Sequence, residues 1–390
     1  MKKIFLSILS GAVLVVLNWF FINSYFTTKP EEEFYEKVTL LRDHILHGAE
    51  NVSGLAFINT ANDIAVIRSG RNHVAAVNRQ DLVKFFGVLM SQRAKPKAIV
   101  LDQDFYDVYS PDPRVDDTLN ALIKKVNNVL VPVKIDSGKI DTPVIHACYG
   151  TAGYDTYGLD VDKVKVFETS PLLPSLPALV HSVADGVNYG FRGSLLTANG
   201  KLCLNYIWPE YYLKSDKDGE ATPVATNQLE TMLLDLRDMP GNIHADVDGK
   251  VVFMGTFDQK VPTQAEPMEG VKVAANIYLT LRSGQHYVTL WWFLFILTAY
   301  SVLSYYAWFK QLPQLDKFFR GFFSDVLADF VKKWFSYTSF LLFLSFCSIF
   351  IFRISVNVIV IGFVLSAISY VRFDEHVSNF LIWLKKKNKT

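Results

Sequence analysis

The chain has few cysteines and almost no net charge, and both absences narrow the class of protein. Cys148, Cys203 and Cys347 lie far apart among 390 residues, so the close ligand spacing of a zinc site is missing. Cys148 and Cys203 could pair as a disulfide, but plain burial accounts for each cysteine more simply. A formal net charge of +1 provides no basic excess for tracking phosphates. Nucleic acid is therefore not an expected partner.

The sequence also lacks the short motifs that carry common catalytic chemistry. No P-loop, G-x-G-x-x-G, G-x-S-x-G or H-E-x-x-H occurs in it. Asp102 and Asp104 have the Asp-x-Asp spacing of haloacid dehalogenase-like phosphatases, but Phe105 and Tyr106 follow where that chemistry needs Thr or Val. We therefore expect no enzymatic activity, no cofactor and no bound metal.

Long apolar runs are abundant at both ends of the chain. Residues 1–27 contain a stretch long enough to cross a hydrocarbon layer of ~30 Å and no clear cleavage site, which predicts an uncleaved anchor. Residues 287–309 predict a second span, with aromatic residues toward its ends. The next apolar run is too long for one crossing. Because a charge such as Arg353 costs about 2.5–3.5 kcal/mol at mid-bilayer, we predict a hairpin of two spans, 334–353 and 354–371.

Basic residues near these four predicted spans indicate how the chain is oriented. The N-terminal lysines, the loop 310–333 and the tail 372–390 are rich in Lys and Arg, so they are expected in the cytoplasm. The polar stretch 28–286 is then expected on the other side, in the periplasm of a bacterium. The prediction is a multi-pass protein of the bacterial inner membrane, with one span before the large domain, three after it and both termini in the cytoplasm.

A helix is predicted directly after the first span. Phe34, Val38, Leu41 and Ile45 have helical spacing, and acidic residues follow Pro30 in the first turn. We interpret this segment as a stalk helix that packs on the domain or on a second copy of the chain.

Beyond the stalk helix, strand-like runs alternate with helical patterns. The runs "SGLAFIN", "KAIVLDQDF" and "NVLVPVKI" read as strands, and Leu82, Phe85, Phe86 and Leu89 form one apolar helical face between the first two. "SPDPRVDDTL" predicts a turn and a helix start near Asp116. Strands and helices of these lengths predict an α/β domain over residues 28–286, with a mixed, mainly parallel sheet and covering helices.

An ordered set of local patterns resembles one known family. The matching positions are Arg79, Asp102, Phe105, Asp116, Leu119, Ala121, "LPSLPALV", "LCLNYIWP", Gly255, Gly270, Val271, Ala275 and Asn276. In this order, and with the one-plus-three arrangement of spans, the chain resembles the type-2 CHASE family of extracellular sensory domains. The resemblance covers nearly the whole chain. It implies an exported α/β sensor that recognises a ligand outside the cytoplasm.

The resemblance also supplies candidate residues for that ligand site. They are Arg79, Asp102 and Asn276, and Asp104, which lies outside the family pattern, joins them from its position after the same strand as Asp102. Acids at the carboxyl end of a parallel strand suit a cation or a polar ligand, although carboxylates that cap a neighbouring loop are the simpler account. This sequence departs from the family at Ile58–Thr60, where acids are usual, and at Ala274, where a histidine is common. The periplasmic ligand is therefore expected to differ from those of the family, or to be absent.

The cytoplasmic segments are expected to carry any output. Residues 372–390 are too short to fold as the kinase or cyclase that usually follows such a domain. In the loop, Phe318 and Phe322 share an apolar helical face beside Arg320, while Lys332 and Lys333 end the segment. Such a helix suits either the membrane interface or a docked partner protein.

Two functions remain open from sequence alone. The first is a receptor subunit without catalytic activity, which passes a signal from outside to a separate protein in the membrane or cytoplasm. The alternative is a structural or membrane-acting component of a multi-protein envelope or defence assembly. In that alternative the spans themselves form a homo-oligomer in the lipid bilayer.

Overall fold

A computed structural model describes most of the chain. The described residues are 2–24, 28–46, 54–69, 72–103, 105, 110–133, 135–136, 139–140, 143, 145, 147–151, 163–169, 172–210, 212–213, 233–239, 241–257, 260–261, 263, 267–309 and 325–371. The chain divides into two compact units. One unit contains Met1–Gly48 and Val288–Thr390, and the other contains Ala49–Tyr287.

The helices and strands are numbered here in chain order. The helices are α1 (Lys2–Ile22), α2 (Lys29–Leu46), α3 (Arg79–Ser91), α4 (Pro113–Val126), α5 (Leu176–Asp185), α6 (His244–Val247), α7 (Gly270–Arg282), α8 (Leu290–Phe309), α9 (Asp325–Phe352) and α10 (Val358–Val371). The strands are β1 (Leu55–Asn59), β2 (Ile64–Ser69), β3 (Asn72–Val77), β4 (Ala98–Asp102), β5 (Val129–Val133), β6 (Ile135–Asp136), β7 (Lys139–Ile140), β8 (Cys148–Thr151), β9 (Val164–Lys165), β10 (Phe167–Thr169), β11 (Leu172–Pro174), β12 (Tyr189–Arg192), β13 (Leu195–Ala198), β14 (Lys201–Leu202), β15 (Tyr206–Ile207), β16 (Leu233–Asp235), β17 (Val251–Gly255), β18 (Lys260–Val261) and β19 (Met268–Glu269).

A six-stranded parallel sheet forms the centre of the Ala49–Tyr287 unit. Its strand order is β16–β1–β17–β4–β5–β8. Every pairing in it is parallel. The central strands are apolar throughout because a parallel sheet covered by helices is buried on both faces. The prediction of an α/β domain with covering helices is confirmed, and its main sheet is entirely parallel rather than mixed.

Alternate residues of these strands build two separate cores. On one face, Ile58 and Met254 pack with apolar side chains of α3, α4 and α6. On the other face, Phe57 and Phe253 pack with α5 and α7. The period-two alternation of side chains along each strand therefore places the sheet between two helical layers.

Local signals in the sequence account for the helix ends around the sheet. Asn78 accepts a hydrogen bond from the backbone of Gln80 and caps α3, and Ser175 caps α5 in the same way through Ala178. Helix α4 begins at Pro113, with Asp112 as its N-cap, so it starts one turn earlier than the acids at Asp116 suggested.

Antiparallel pairs surround the parallel sheet. β2 pairs with β3, and β12, β13 and β14 form a small meander. The stretch from about 136 to 195, whose pattern is hard to interpret from sequence, contains α5 and several two- to four-residue strands among its described residues. Short strands of this kind leave little periodicity to detect.

Three helices of the other unit are long and apolar enough to cross a membrane. They are Lys2–Ile22, Leu290–Phe309 and Trp334–Phe352, the last being most of α9. A shorter apolar helix, Val358–Ser369, lies within α10. The protein is therefore a membrane protein with three candidate spans. α9 and α10 are joined by a turn at residues 353–357, where Arg353 has a positive φ of 59°. The chain therefore turns near Arg353, whereas a fourth span at 354–371 stays a prediction.

Helix α1 packs closely against α8. A Cβ atom on Gly11 would lie 2.8 Å from the backbone nitrogen of Ser301, so only glycine allows this approach. Trp308 Nε1 donates to Ser10 Oγ at 2.9 Å near one end of the pair. Small residues and interhelical hydrogen bonds are the usual means by which helices associate in lipid.

Candidate functional site

The carboxyl ends of three adjacent strands meet at one edge of the sheet. Asn59 of β1 is in register with Gly255 of β17, and Gly255 is in register with Asp102 of β4. In open α/β sheets, ligands bind outside this edge, in the crevice where strand order changes direction. Strand β17 comes after β1 and β4 in sequence but lies between them in the sheet. The carboxyl ends of these three strands are therefore the natural candidate site.

Gly255 allows helix α7 to approach this edge closely. A Cβ atom at this position would lie 2.3 Å from Val271 Cγ2 and 3.2 Å from the backbone oxygen of Asp102. The first distance is shorter than Cβ contacts in proteins, and the second is tight. Glycine is therefore required for the first turn of α7 to pack over the end of β17.

Asp102 lies beside the start of α7. A Cβ atom added to Gly270, the first residue of that helix, would lie 3.5 Å from Asp102 Oδ2. Burial raises the pKa of the Asp102 carboxyl to about 6. The group is thus an acid that changes charge near neutral pH, at the place where the sheet edge and a helix N-terminus meet.

Hydrogen bonds hold the loops that flank Asp102. Gln103 Nε2 donates to Thr60 Oγ1 at 2.8 Å, and the backbone nitrogen of Thr60 donates to the oxygen of Gly255 at 2.9 Å. On the other side, Lys272 Nζ lies 3.3 Å from Glu269 Oε2, and both residues are buried. The sheet edge is therefore lined by polar groups that are themselves fixed in place.

A second acidic position lies after β1. Asp63 is buried, and its Oδ1 lies 3.6 Å from Nε of Arg237. Burial raises the pKa of Asp63, with further contributions from Asp235 and Asp81, and Arg237 opposes the change. Asp235, at the end of β16, accepts from Asn62 Nδ2 at 2.7 Å. Acidic groups thus extend along the same edge toward its outer strand.

Arg79 takes part in an internal clamp. Its guanidinium forms a buried ion pair with Asp116 and lies 5.7 Å from the ring centroid of Phe105. Asp116 also accepts from the backbone nitrogen of Ser110 at 2.8 Å. The clamp joins the first residue of α3 to α4 and to the loop after β4. Arg79 therefore positions that loop.

Asn276 is buried in the middle of α7 and holds a neighbouring segment. Its Oδ1 accepts from the backbone nitrogen of Leu213 at 2.8 Å, and its Nδ2 donates to the oxygen of the same residue at 2.9 Å. One turn later, Thr280 Oγ1 accepts from the backbone nitrogen of Glu210 at 2.9 Å. The polar face of α7 therefore anchors residues 210–213.

The structure separates the predicted ligand residues. Asp102 lies at the sheet edge, whereas Arg79 and Asn276 are engaged in the clamp and in the α7 anchor. Asp104 lies outside the described residues, as do Phe318, Arg320 and Phe322. Lys332 and Lys333 lie within α9, but their side chains are outside the described part.

Sequence reasoning missed Gln103 and Asp63 at this edge and noted Thr60 only as a departure from the family pattern. The available signal was positional, since Thr60 and Gln103 follow directly after predicted strands and Asp63 lies four residues after the end of the first of them. Nothing in their identities distinguishes them from ordinary loop residues. Only the sheet order shows that β1 and β4, the strands before them, both lie beside β17.

A buried histidine pair lies elsewhere in the same unit. His181 Nδ1 is 2.8 Å from the hydroxyl of Tyr189, and that hydroxyl is 3.4 Å from His286 Nε2. Burial lowers the pKa of His181 to about 4 and that of His286 to about 3. The backbone nitrogen of Leu204 donates to the oxygen of His286 at 2.8 Å. The cluster fixes the segment that precedes α8.

All three cysteines are free. Cys148 is exposed on the edge strand β8, and Cys203 is buried. Burial raises the pKa of Cys203 to about 12, which keeps it a protonated thiol. Within the described part of the chain, no group of three or more His, Cys, Asp or Glu side chains is placed to hold a metal ion.

Fold and edge together define a class of protein. It is a membrane protein whose α/β unit has a parallel sheet with helices on both faces and a titratable acid at the carboxyl edge. The chain matches no family model, no curated protein and no solved structure.

Proposed function

We propose that this protein is a membrane-anchored sensor subunit of the type-2 CHASE kind. Its α/β unit lies in the periplasm of a bacterium, recognises a small polar or cationic ligand at the sheet edge and has no catalytic activity of its own. The signal passes to a separate protein partner in the inner membrane or cytoplasm. The observation that carries the proposal is the position of Asp102.

A carboxyl group with a raised pKa is costly for the fold when it ionises. At neutral pH most Asp102 carboxyls carry a charge that burial opposes. A group of this kind at a ligand-binding edge is more typical of a functional site than of a stabilising element. A ligand that supplies a positive charge or hydrogen-bond donors would compensate the charge and so stabilise the bound form.

Helix α7 offers a route for the signal. Its first residue, Gly270, lies beside the Asp102 carboxylate, and its last residue, Arg282, precedes the membrane helix α8 by seven residues of chain, 283–289. Neutralising Asp102 would change the balance of contacts at the first turn of α7. A shift of this helix is then passed along the chain to α8.

The membrane arrangement is part of the same proposal. We place one crossing before the α/β unit and three after it, with Val358–Val371 as the fourth crossing and both termini in the cytoplasm. The turn at Arg353 and the apolar character of Val358–Ser369 support a hairpin that returns to the cytoplasmic side. Its described length of 14 residues is short for a layer of ~30 Å and requires local thinning or tilt.

The test is a partner capture that depends on Asp102. A photoreactive benzoylphenylalanine is placed at Phe318 or Phe322 in the full-length protein, in its native membrane, and covalent adducts are identified by mass spectrometry. We expect one recurrent partner protein. Its adduct yield should change in Asp102→Asn, because this substitution removes the charge next to α7 and keeps the shape of the side chain.

Asp117→Asn is the matched control. Asp117 is exposed on α4, so losing its charge should leave the yield unchanged. If no partner is captured at either position, the receptor proposal fails. If a partner is captured equally in Asp102→Asn, Asp117→Asn and the unmodified protein, the sheet edge is not the sensing site.

A further inference from the structure

One face of α2 is fixed to the hairpin formed by α9 and α10. Glu31, Tyr35, Val38 and Arg42 recur at helical spacing along this face. Glu31 Oε1 accepts from the backbone nitrogen of Val358 at 3.0 Å, and Arg42 Nε donates to the oxygen of Phe350 at 2.9 Å. Between them, Tyr35 and Val38 are buried. The helix thus packs across the hairpin at its turn, whereas the sequence predicted packing on the α/β domain or on a second copy of the chain.

The charges of these two contacts complement the ends of the hairpin helices. Glu31 is an anion at the N-terminus of α10, and Arg42 is a cation at the last turn of α9. Helix N-termini favour negative charge and C-termini favour positive charge, because their backbone dipoles align. The contacts of Glu31 and Arg42 therefore hold α2 across the α9–α10 turn.

The neighbouring face of α2 is apolar and exposed. Leu41 and Ile45, one turn apart, are 44% and 53% exposed. It flanks the face that holds the hairpin, at the end of α2 where Arg42 contacts the last turn of α9. Ile351, adjacent to the Phe350 that Arg42 contacts, is 61% exposed, and Phe343 lower on the same helix is 68% exposed.

We propose that α2 is an interfacial helix, with Leu41 and Ile45 inserted into the outer lipid interface of the membrane. Three observations favour lipid over a second copy of the chain. Leu41 lies next to the Arg42 that contacts the last turn of the candidate span α9, α2 follows the candidate span α1 after only residues 23–28, and the adjoining face of α2 is already occupied by the hairpin. An amphipathic helix at this depth buries its apolar residues at the boundary of headgroups and acyl chains.

The experiment uses the full-length protein in vesicles of a single phosphatidylcholine. Benzoylphenylalanine replaces Leu41 or Ile45, and after illumination the intact mass of the protein reports what each position touches. We expect adducts of one lipid mass at both positions, with a yield similar to that of Phe343→benzoylphenylalanine on the spanning helix α9.

Leu172→benzoylphenylalanine provides the matched negative control. Leu172 is an apolar residue, 66% exposed, in the α/β unit. Lipid adducts at residues 41 and 45 should exceed those at residue 172 by about tenfold, as expected for insertion against exposure to water. Adducts of twice the protein mass would show that a second copy covers the face and would overturn the proposal. A yield as low as that at residue 172 would overturn it as well.

Discussion

Asp102 and Gly255 show how single residues shape the sheet edge. The two are in register on adjacent strands, and both lie under the first turn of α7. Gly255 makes room for the helix, and Asp102 places a titratable group beside it. Both are positions at which the sequence resembles a sensory family, but the reason each residue type is needed lies in atoms of α7.

We predict that Asp102→Asn stabilises the α/β unit at neutral pH. The pKa of the folded state is about 6, against an ordinary value of 3.8, so the folded protein binds more protons than the unfolded chain between these values. Stability from this group is full below pH ~4 and is lost as the pH rises through 6. Above that, the Asn variant should be about 1–2 kcal/mol more stable in urea unfolding.

This sign opposes what the sequence suggests. A strand-end carboxylate that caps a loop predicts destabilisation by Asp102→Asn. Equal stability of Asp102→Asn and the unmodified protein at pH 7.5, or a less stable variant, would mean that Asp102 is satisfied by its surroundings. Asp117→Asn, on the exposed side of α4, should change little at any pH.

Gly255→Ala should destabilise the same unit. The added Cβ atom would meet Val271 Cγ2 at 2.3 Å, and α7 would have to move away from the sheet. Overpacking of this kind costs about 1–3 kcal/mol, measured as a lower urea midpoint. Gly241→Ala is the control, since a Cβ atom there has nothing within 4 Å. A neutral Gly255→Ala would show that α7 is free to shift at no cost.

At the scale of elements, the ends of α5, β12 and the chain after α7 are joined through two histidines. His181, Tyr189 and His286 are linked by the contacts of 2.8 and 3.4 Å described above. Asp185 lies 4.0 Å from His181 Nε2 and raises the pKa of His181, whereas Arg282 lowers it. The cluster depends on neutral imidazoles, because burial penalises the charged form.

We predict that acid weakens this cluster. The folded pKa values of about 4 and 3 lie below the ordinary 6.5, so the unfolded chain binds more protons in between. The histidine contribution to stability is complete above pH ~7 and is lost progressively as the pH falls through 6.5 toward 4. Urea unfolding at pH 7.5 and 5.0 measures this loss.

Asp102 acts in the opposite direction over part of the same range. The histidine contribution is therefore measured by comparing the pH dependence of stability in the unmodified protein with that in His181→Gln. The variant should lose less stability in acid. His244→Gln, at an exposed histidine on α6, should keep the full dependence. If His181→Gln and the unmodified protein lose stability equally, the buried pair is not responsible.

At the scale of the whole molecule, the proposed topology makes a prediction of its own. Alkaline phosphatase, which is active only outside the cytoplasm, should be active when fused after Tyr287 or after Ser355 and inactive after Thr390. A fluorescent protein fused after Thr390 should fluoresce. Phosphatase activity after Thr390 would show that Val358–Val371 does not return the chain to the cytoplasm, and inactivity after Tyr287 would contradict an exported domain.

The sequence predicts the helices and strands better than it predicts which of them pack together. The apolar face of Leu82, Phe85, Phe86 and Leu89 is confirmed as a buried face of α3, because helical periodicity is a local property. The hairpin turn at Arg353 follows from the cost of a charge in lipid. The packing of α2 on α9 and α10 could not be predicted, because the pattern of α2 is amphipathic whatever it packs against.

By itself, the sequence determined the three helices that are long and apolar enough to span a membrane and the alternation of strands and helices, since hydrophobic length and periodicity are set along the chain. It also marked Asp102 as the end of a strand. Only the tertiary structure decided that β17 inserts between β1 and β4, that Gly255 brings α7 over Asp102, and that Arg79 pairs with Asp116. These contacts join residues far apart in sequence. The pKa of an acid and the role of an arginine depend on such neighbours, which no local pattern contains.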